Sequence, residues 1–521
     1  MTFPAEPLRE SPEKRSYLFL LIIAVFLVYG NAFFNGLSRD DMAIFQALPS
    51  VIPSNNFLEL CHKIETVLES SHQSGFWRPL TYASFVIDQK IWGPDPFGFH
   101  ATNIFLHAGV VVLLFILCAR LLASSRIGFI IALLYAIHPV HFEAVGLIHN
   151  RSDILCLFFL LSSLYGLDAY SRKKGRVLLA EEIPDVRYFV GSLVSFFLAL
   201  LSKETAVVFP LIVFVYMFLF LRKYERLSAL KMGLSFLGVL AIYLSLRVLV
   251  LGEIIQAERV WGFYNFPPGE GAFWPLATAL KLVEMYFAFL MNSFNPFDFC
   301  ADYALKPITS LLHGEALLGG LIILILLYLL IRLRKTLPFL SLAIVWFLVT
   351  YLPISNIVPI GNLFSQRYMY IPSVGFFVLL GFCFGKLIEN KESQKLIAIF
   401  LILLIILWGR STILRNQYYR DDISLWFYTA KHPLASPRAH LVLGQYYIRA
   451  GNLNLAKEEL EASLNKNSNY IPALMMLGYV SKEQGHWQEA EDYFSRAAGV
   501  ATQANDLMSL QEALEELKTV Q

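Results

Sequence analysis

The chain has 521 residues, of which 56% are hydrophobic and only 16% charged, and its mean hydropathy is +0.55. These values exclude an ordinary soluble globular protein and point to a helical protein that crosses a membrane many times. A formal net charge of +2 with no dense basic block leaves no electrostatic footprint for nucleic acid, and the five cysteines show no metal-ligand spacing.

In chain order, residues 1–16 are polar and carry Arg9, Lys14 and Arg15 ahead of an apolar run that begins at Tyr17. Ala32, Phe33 and Phe34 extend that run and no small-residue cleavage site follows. It reads as an uncleaved anchor helix with its start in the cytoplasm. Apolar runs long enough to cross a bilayer predict spans at 17–37, 100–121, 127–147, 154–170, 188–202, 204–221, 232–251, 315–333, 337–354, 370–388 and 395–410. Basic clusters at Arg120/Arg126, Arg172/Lys173/Lys174/Arg176, Arg222/Lys223/Arg226, Arg332/Arg334/Lys335 and Lys386/Lys391/Lys395 then fall on the cytoplasmic side. The run 276–294 would move the Arg332–Lys335 cluster outward if counted, so it is expected to be interfacial or re-entrant. The loops 38–99, 146–153, 252–314 and 355–369, and everything after 411, are expected to face outward. Arg410, Arg415 and Arg420 run against that placement of the tail.

Beyond residue 411 the composition turns polar and a period appears. Gly444/Gly478, Gly451/Gly485, Ala456/Ala490, Leu460/Phe494 and Ser463/Ala497 are each 34 residues apart, the period of the tetratricopeptide repeat. Two domains are therefore expected: a membrane domain over 1–413 and a short helical solenoid over 414–521. The solenoid holds repeats at about 437–470 and 471–504, a half repeat before them and a capping helix after. Such repeats bind peptide or protein; a docking surface with no part in chemistry is the other reading.

Side chains suited to chemistry gather at the outward ends of the spans. Asp40 and Asp41 follow the first span, where two carboxylates are costly unless they face water or a partner. Arg78 lies in FWRPLTYASF, and His100, Asn103 and His107 share one helix face at the start of the second span. Packing hydrogen bonds would explain that face equally well. HPVHFEAVGLIHNRSD brings His138, His141, Glu143, His149, Arg151 and Asp153 to the next outward edge. Lys203-Glu204 read either as a structural ion pair or as functional groups, and QRYMYIPS places Arg367 and Tyr368 at the mouth of the tenth span. No metal-site spacing is present, so a metal has no assigned ligands; a divalent ion stays open. No phosphate-cradling glycine loop or dinucleotide fingerprint competes. Carboxylates beside cations are the inventory for passing a group from an anionic lipid carrier to a hydroxyl, with a base for the proton and cations for the leaving phosphate.

The ordered set Asp40-Asp41, WRPL (77–80), GFHATNIFLH (98–107), HPVHFEAV (138–145), NRSDIL (150–155), LSKETAVVFP (201–210), QRYMYIPS (366–373) and trailing repeats resembles the transmembrane and tetratricopeptide repeat O-mannosyltransferases of the GT-C fold. The resemblance implies an all-α membrane enzyme of about eleven spans. It implies an inverting glycosyltransferase that moves a monosaccharide, such as mannose, from a polyprenyl- or dolichyl-phosphate carrier to a hydroxyl on protein or glycan. Asp40 or Asp41 would be the base. Arg78, His100, Asn103, His138, Glu143, Arg151, Asp153, Lys203, Glu204, Arg367 and Tyr368 would line the donor and lipid-phosphate site. The compact loops suggest a bacterial inner membrane, with the active side and the repeats periplasmic. A non-catalytic scaffold that recruits partners through its repeats is the alternative.

Overall fold

The computed structural model describes residues 12–38, 41–51, 77–177, 185–220, 226–252, 274–295, 298–358, 360, 362–504 and 506–520. Among these residues the regular structure is helical apart from one isolated bridge between Tyr303 and Ala435. The chain divides into two compact units, residues 1–296 with 307–417 and residues 297–306 with 418–521.

The first unit contains α1 (Pro12–Tyr29), α2 (Asp41–Val51), α3 (Pro79–Trp92), α4 (Pro96–Leu122), α5 (Ser125–Ile137), α6 (Arg151–Val177), α7 (Val186–Ser202), α8 (Phe209–Phe220) and α9 (Arg226–Leu251). It continues with α10 (Trp274–Asn292), α11 (Gly314–Leu333), α12 (Pro338–Tyr351), α13 (Ser373–Glu389) and α14 (Gln394–Tyr418). Among the described residues seven helices are long and apolar enough to cross a membrane, and α7, α8 and α12 are shorter apolar helices. The chain is a multi-pass integral membrane protein. The turns follow local chemistry. Asp95 accepts from the Phe97 N–H and Pro96 opens α4, while Ser124 caps α5 after Ala123 takes a left-handed φ of 53° in the tight α4–α5 turn.

The predicted span 127–147 is not one helix. α5 ends at Ile137, and Pro139–Gly146 continues at a bend of 52°. Pro139 has no N–H to continue the ladder, and the His138 side chain accepts from Val140 N–H to cap the new start. The break lays residues 138–146 across one end of the bundle.

Cross-links between helix termini define that end. Asn103 near the start of α4 donates to the Leu147 carbonyl, Thr81 to the Ser202 carbonyl at the end of α7, Tyr135 to the Tyr370 carbonyl before α13, and Asn416 to the Val28 carbonyl of α1. α10 could cross a membrane by length and apolarity, yet its polar contacts lie at this same end. The Ala279 carbonyl accepts from Tyr351 at the end of α12, Lys281 pairs with Glu315 at the start of α11, and the Leu290 carbonyl meets His138. The region 38–99, expected as a loop, also contributes α2 and α3 here. Their apolar faces (Ile44, Leu48, Phe85, Val86) close on Phe99 and Ile148.

The second unit contains α15 (Asp422–Ala430), α16 (Pro437–Arg449), α17 (Leu453–Lys466), α18 (Ile471–Glu483), α19 (Trp487–Ala504) and α20 (Leu507–Val520). Its helix pairs repeat at the spacing read from the glycines. A Cβ on Gly444 would stand 2.7 Å from Leu460, and one on Gly478 would stand 2.5 Å from Phe494, so each glycine is where paired helices touch. Gly451 and Gly485, at φ +75° and +78°, close the intervening turns. Residues 297–306, read from sequence as membrane-domain loop, belong to this unit: Cys300 packs with Trp426, Ala435, Ala439 and Leu443. Phe494→Ala, which empties a fully buried site, is expected to cost this unit about 3–5 kcal/mol. The measurement is the loss of its helical circular dichroism at lower urea than in the wild-type chain.

Candidate functional site

The break at His138 and the short turns 148–150 before α6 deliver the polar sequence HNRSD to the bundle end, where three partly exposed groups, His149, Arg367 and Tyr368, face one another. Asp41, the first residue of α2, lies beneath them and is fully buried. Its carboxylate accepts from the backbone N–H of His149 at 2.8 Å, from His149 Nδ1 at 2.8 Å and, more weakly, from the Ile148 N–H at 3.4 Å. A carboxylate can only accept, so His149 carries its proton on Nδ1 and presents Nε2 as an acceptor, 3.2 Å from Arg367 Nη1. Asp40 lies outside the described residues.

Arg367 is held from three sides. Its Nη1 donates to Asn150 Oδ1 at 2.8 Å, its backbone N–H donates to Glu143 Oε2 at 3.0 Å, and its guanidinium approaches the Tyr368 ring, 5.6 Å from the centroid. Glu143 is buried and also accepts from Ser365 Oγ at 2.7 Å. The loop before α13 is therefore fastened to the broken helix through one carboxylate. Burial pushes the Tyr368 phenol up, keeping it protonated beside the cations.

Two ion pairs extend the site along the starts of α3 and α6 and the end of α7. Lys203 Nζ donates to Asp153 Oδ1 at 2.6 Å, both side chains being nearly buried, and lies 5.9 Å from the Tyr368 ring centroid. Arg78 forks onto Glu204 at 2.6 and 2.9 Å and reaches Ser152 Oγ at 3.5 Å. Burial works against the Arg78 charge, but the Glu204 carboxylate outweighs it and the guanidinium is held above its ordinary value. Lys203-Glu204 thus separate into two different pairs and do not pair with each other.

Other expected lining residues turn inward. Arg151 is fully buried; it donates to Asn103 Oδ1, Ser84 Oγ and the Phe99 carbonyl, pairs with Asp88, and lies 4.6 Å from the Phe85 ring centroid. Asn103 spends its amide on the Val145 and Leu147 carbonyls. His138 bridges Val140 N–H and the Leu290 carbonyl. His100 is buried, with Nε2 3.3 Å from the Gly36 carbonyl and Nδ1 without a hydrogen-bond partner. Sequence reasoning missed Asp88, Ser365 and Asn150 as members of this network. A lone charge in the apolar run SFVID was the available signal for Asp88, whose carboxyl burial pushes up against the pull of Arg151. Among the described residues no three His, Cys, Asp or Glu side chains are grouped to hold a metal.

No protein-family model matches the chain. It is similar to human protein O-mannosyl-transferase TMTC4, 27% identical over an alignment of 437 positions that covers 74% of this chain and 57% of the relative. Mouse protein O-mannosyl-transferase TMTC3 is 25% identical over an alignment of 525 positions that covers 93% of this chain and 55% of the relative. The chain spans a little over half the length of these curated relatives. Among solved structures it is similar to the archaeal oligosaccharyltransferase AglB from Archaeoglobus fulgidus in complex with an inhibitory peptide and a dolichol-phosphate, with a TM-score of 0.45, 14% identity and coverage of 87% of this chain and 60% of that one. ArnT from Cupriavidus metallidurans bound to undecaprenyl phosphate gives a TM-score of 0.43 and 14% identity, covering 94% of this chain and 81% of that one.

Proposed function

We propose that this chain, which resembles the TMTC protein O-mannosyl-transferases over most of its length, is a membrane glycosyltransferase of GT-C type that uses a polyprenyl- or dolichyl-phosphate-linked monosaccharide. The observation that carries the reading is the gathering of Asp41, His149, Asn150, Arg367, Lys203 and Arg78 at one end of an otherwise apolar bundle. Charges cost too much at a membrane boundary to collect there without a task or a partner.

In the proposed step an acceptor hydroxyl gives its proton to a carboxylate, and its oxygen attacks the anomeric carbon. The bond from that carbon to the phosphate oxygen breaks, and the carrier phosphate leaves with the electron pair on the opposite face, so the centre inverts. Asp41 is occupied in orienting His149, which leaves Asp40 as the base we assign. Arg367, with Lys203 and Arg78 behind it, meets the charge that grows on the departing phosphate. Arg151, Asn103 and His138 brace the broken helix and do not touch substrate. The acceptor is a hydroxyl on protein or glycan, mannose is the sugar suggested by the relatives' names, and the repeats hold the acceptor or a partner enzyme. The site end and the repeats are assigned to the outer, periplasmic side of a bacterial inner membrane.

The test is transfer of radiolabelled sugar from a panel of polyprenyl-phosphate monosaccharides by the purified chain in lipid. Arg367→Gln is expected to lower transfer from the productive donor by about 10²–10³-fold with folding intact. A wild-type chain that neither binds nor turns over any donor would sink the reading in favour of a scaffold built around the repeats.

A further inference from the structure

The break after α5 takes their helical partners from the carbonyls of Tyr135, Ala136 and Ile137. The first would be met by the N–H of residue 139, which is a proline. Val140 N–H turns to His138 Nδ1 instead of Ala136, and His141 N–H turns to the His138 carbonyl instead of Ile137. Side chains fill all these places. His141 Nδ1 stands 2.8 Å from the Tyr135 carbonyl, His107 Nε2 3.3 Å from that of Ala136, and Thr412 Oγ1 2.8 Å from that of Ile137. Such capping needs a single donor, as the Thr412 hydroxyl shows. Each histidine carries a second nitrogen, and both second nitrogens reach one short segment, residues 370–373.

A carbonyl only accepts, so the capping nitrogens carry the protons. In neutral, fully buried rings His107 Nδ1 and His141 Nε2 are then acceptors. The Tyr370 hydroxyl donates to the first at 2.8 Å and the Ser373 hydroxyl to the second at 2.9 Å. Tyr370 is itself fully buried; its carbonyl accepts from the Tyr135 hydroxyl at 2.8 Å, and its N–H donates to the Arg367 carbonyl at 2.9 Å. Arg367 therefore lies between two anchors. Glu143 takes its N–H and the Ser365 hydroxyl on one side, and Tyr370 with its histidine holds the other. Both anchors belong to the helix break or cap it.

We propose that Tyr370, tied to His107, is a positioning residue of the transfer reaction. It fixes the turn 366–369 so that the Arg367 guanidinium meets the departing phosphate, and it touches neither donor nor acceptor. The His141–Ser373 pair is the second tie on the same segment. The inference rests on the transferase reading above and adds the groups that hold its cation in register. Misplacing a reacting or stabilising group by about 1 Å can cost about 10²-fold in rate, so a hydrogen bond lost beneath this turn is expected to show in turnover.

Initial rates for the full-length chain in lipid nanodiscs, over a range of concentrations of the productive donor from the panel of polyprenyl-phosphate monosaccharides, test this. Tyr370→Phe keeps the ring and removes the hydroxyl. It is expected to lower kcat about tenfold with KM for the donor within about twofold, because Arg367 acts on charge that develops in the transition state. His107→Leu is expected to match it, and His107→Gln, whose amide keeps both donor and acceptor, is expected to recover part of the loss. On an Arg367→Gln background, Tyr370→Phe is expected to change the rate by less than about twofold, since residues that act through one group are not additive. Wild-type kcat in Tyr370→Phe, or the same loss with and without Arg367, would overturn the positioning role and leave the transferase reading standing. A rise in KM with kcat unchanged would also overturn it, by placing Tyr370 in ground-state binding. A wild-type chain that transfers from no donor in the panel would overturn the transferase reading and the positioning role together.

Discussion

Asp40→Asn is expected to lower sugar transfer by about 10²–10⁴-fold, the range for losing a general base, with no change in thermal stability. Asp41→Asn is expected to behave differently, losing activity and stability together. The carboxylate of Asp41 is buried against two backbone N–H groups and the Nδ1–H of His149. An amide in its place must turn a donor or a weaker acceptor toward those three donors. That mismatch costs about 1–3 kcal/mol and loosens residues 148–150, through which Asn150 steers Arg367. Parallel measurement of initial transfer rate and unfolding midpoint for the two single variants separates a base from an orienting residue. Full activity in Asp40→Asn would remove the first acid from the chemistry and move the search to His149 Nε2, which stands beside Arg367 at the rim.

The burial of Asp41 could not be read from the sequence, and the reason is geometric: it depends on a partner more than a hundred positions away, His149. Positions set by local chemistry were legible. The long apolar helices α1, α4, α6, α9, α11 and α14 overlap the predicted runs, because length and hydropathy decide them. The 34-residue glycine period located two helix pairs because close contact leaves no room for a side chain at Gly444 or Gly478. What escaped depended on distant pairing. Lys203 and Glu204 are neighbours in sequence but serve different partners, Asp153 and Arg78. Cys300 and Tyr303 pack with Trp426 and Ala435, which no local pattern announces. Pro139 did signal the break in the third predicted span, but the apolar composition around it outweighed the one missing N–H.

Arg151→Met is expected to be the most destabilising single change in the membrane unit, by about 3–5 kcal/mol. A guanidinium is a costly choice for an interior, and this one is tolerated because its donors are taken by Asn103 Oδ1, Ser84 Oγ, the Phe99 carbonyl and the Asp88 carboxylate, with Phe85 against its face. Removing the cation alone strands a buried carboxylate and frees the Asn103 side chain, which otherwise ties the start of α4 to the turn at Val145–Leu147. Arg151→Lys is expected to recover little, since one ammonium cannot span four acceptors set in a fork. The double change Arg151→Met/Asp88→Leu is expected to regain much of the stability, because both buried charges leave together. Unfolding midpoints in detergent for the three variants, read beside polyprenyl-phosphate binding, decide between two roles for this arginine. A brace predicts loss of stability with recovery in the double variant. A phosphate ligand predicts normal stability and loss of binding in every variant, and that outcome would return Arg151 to the donor site.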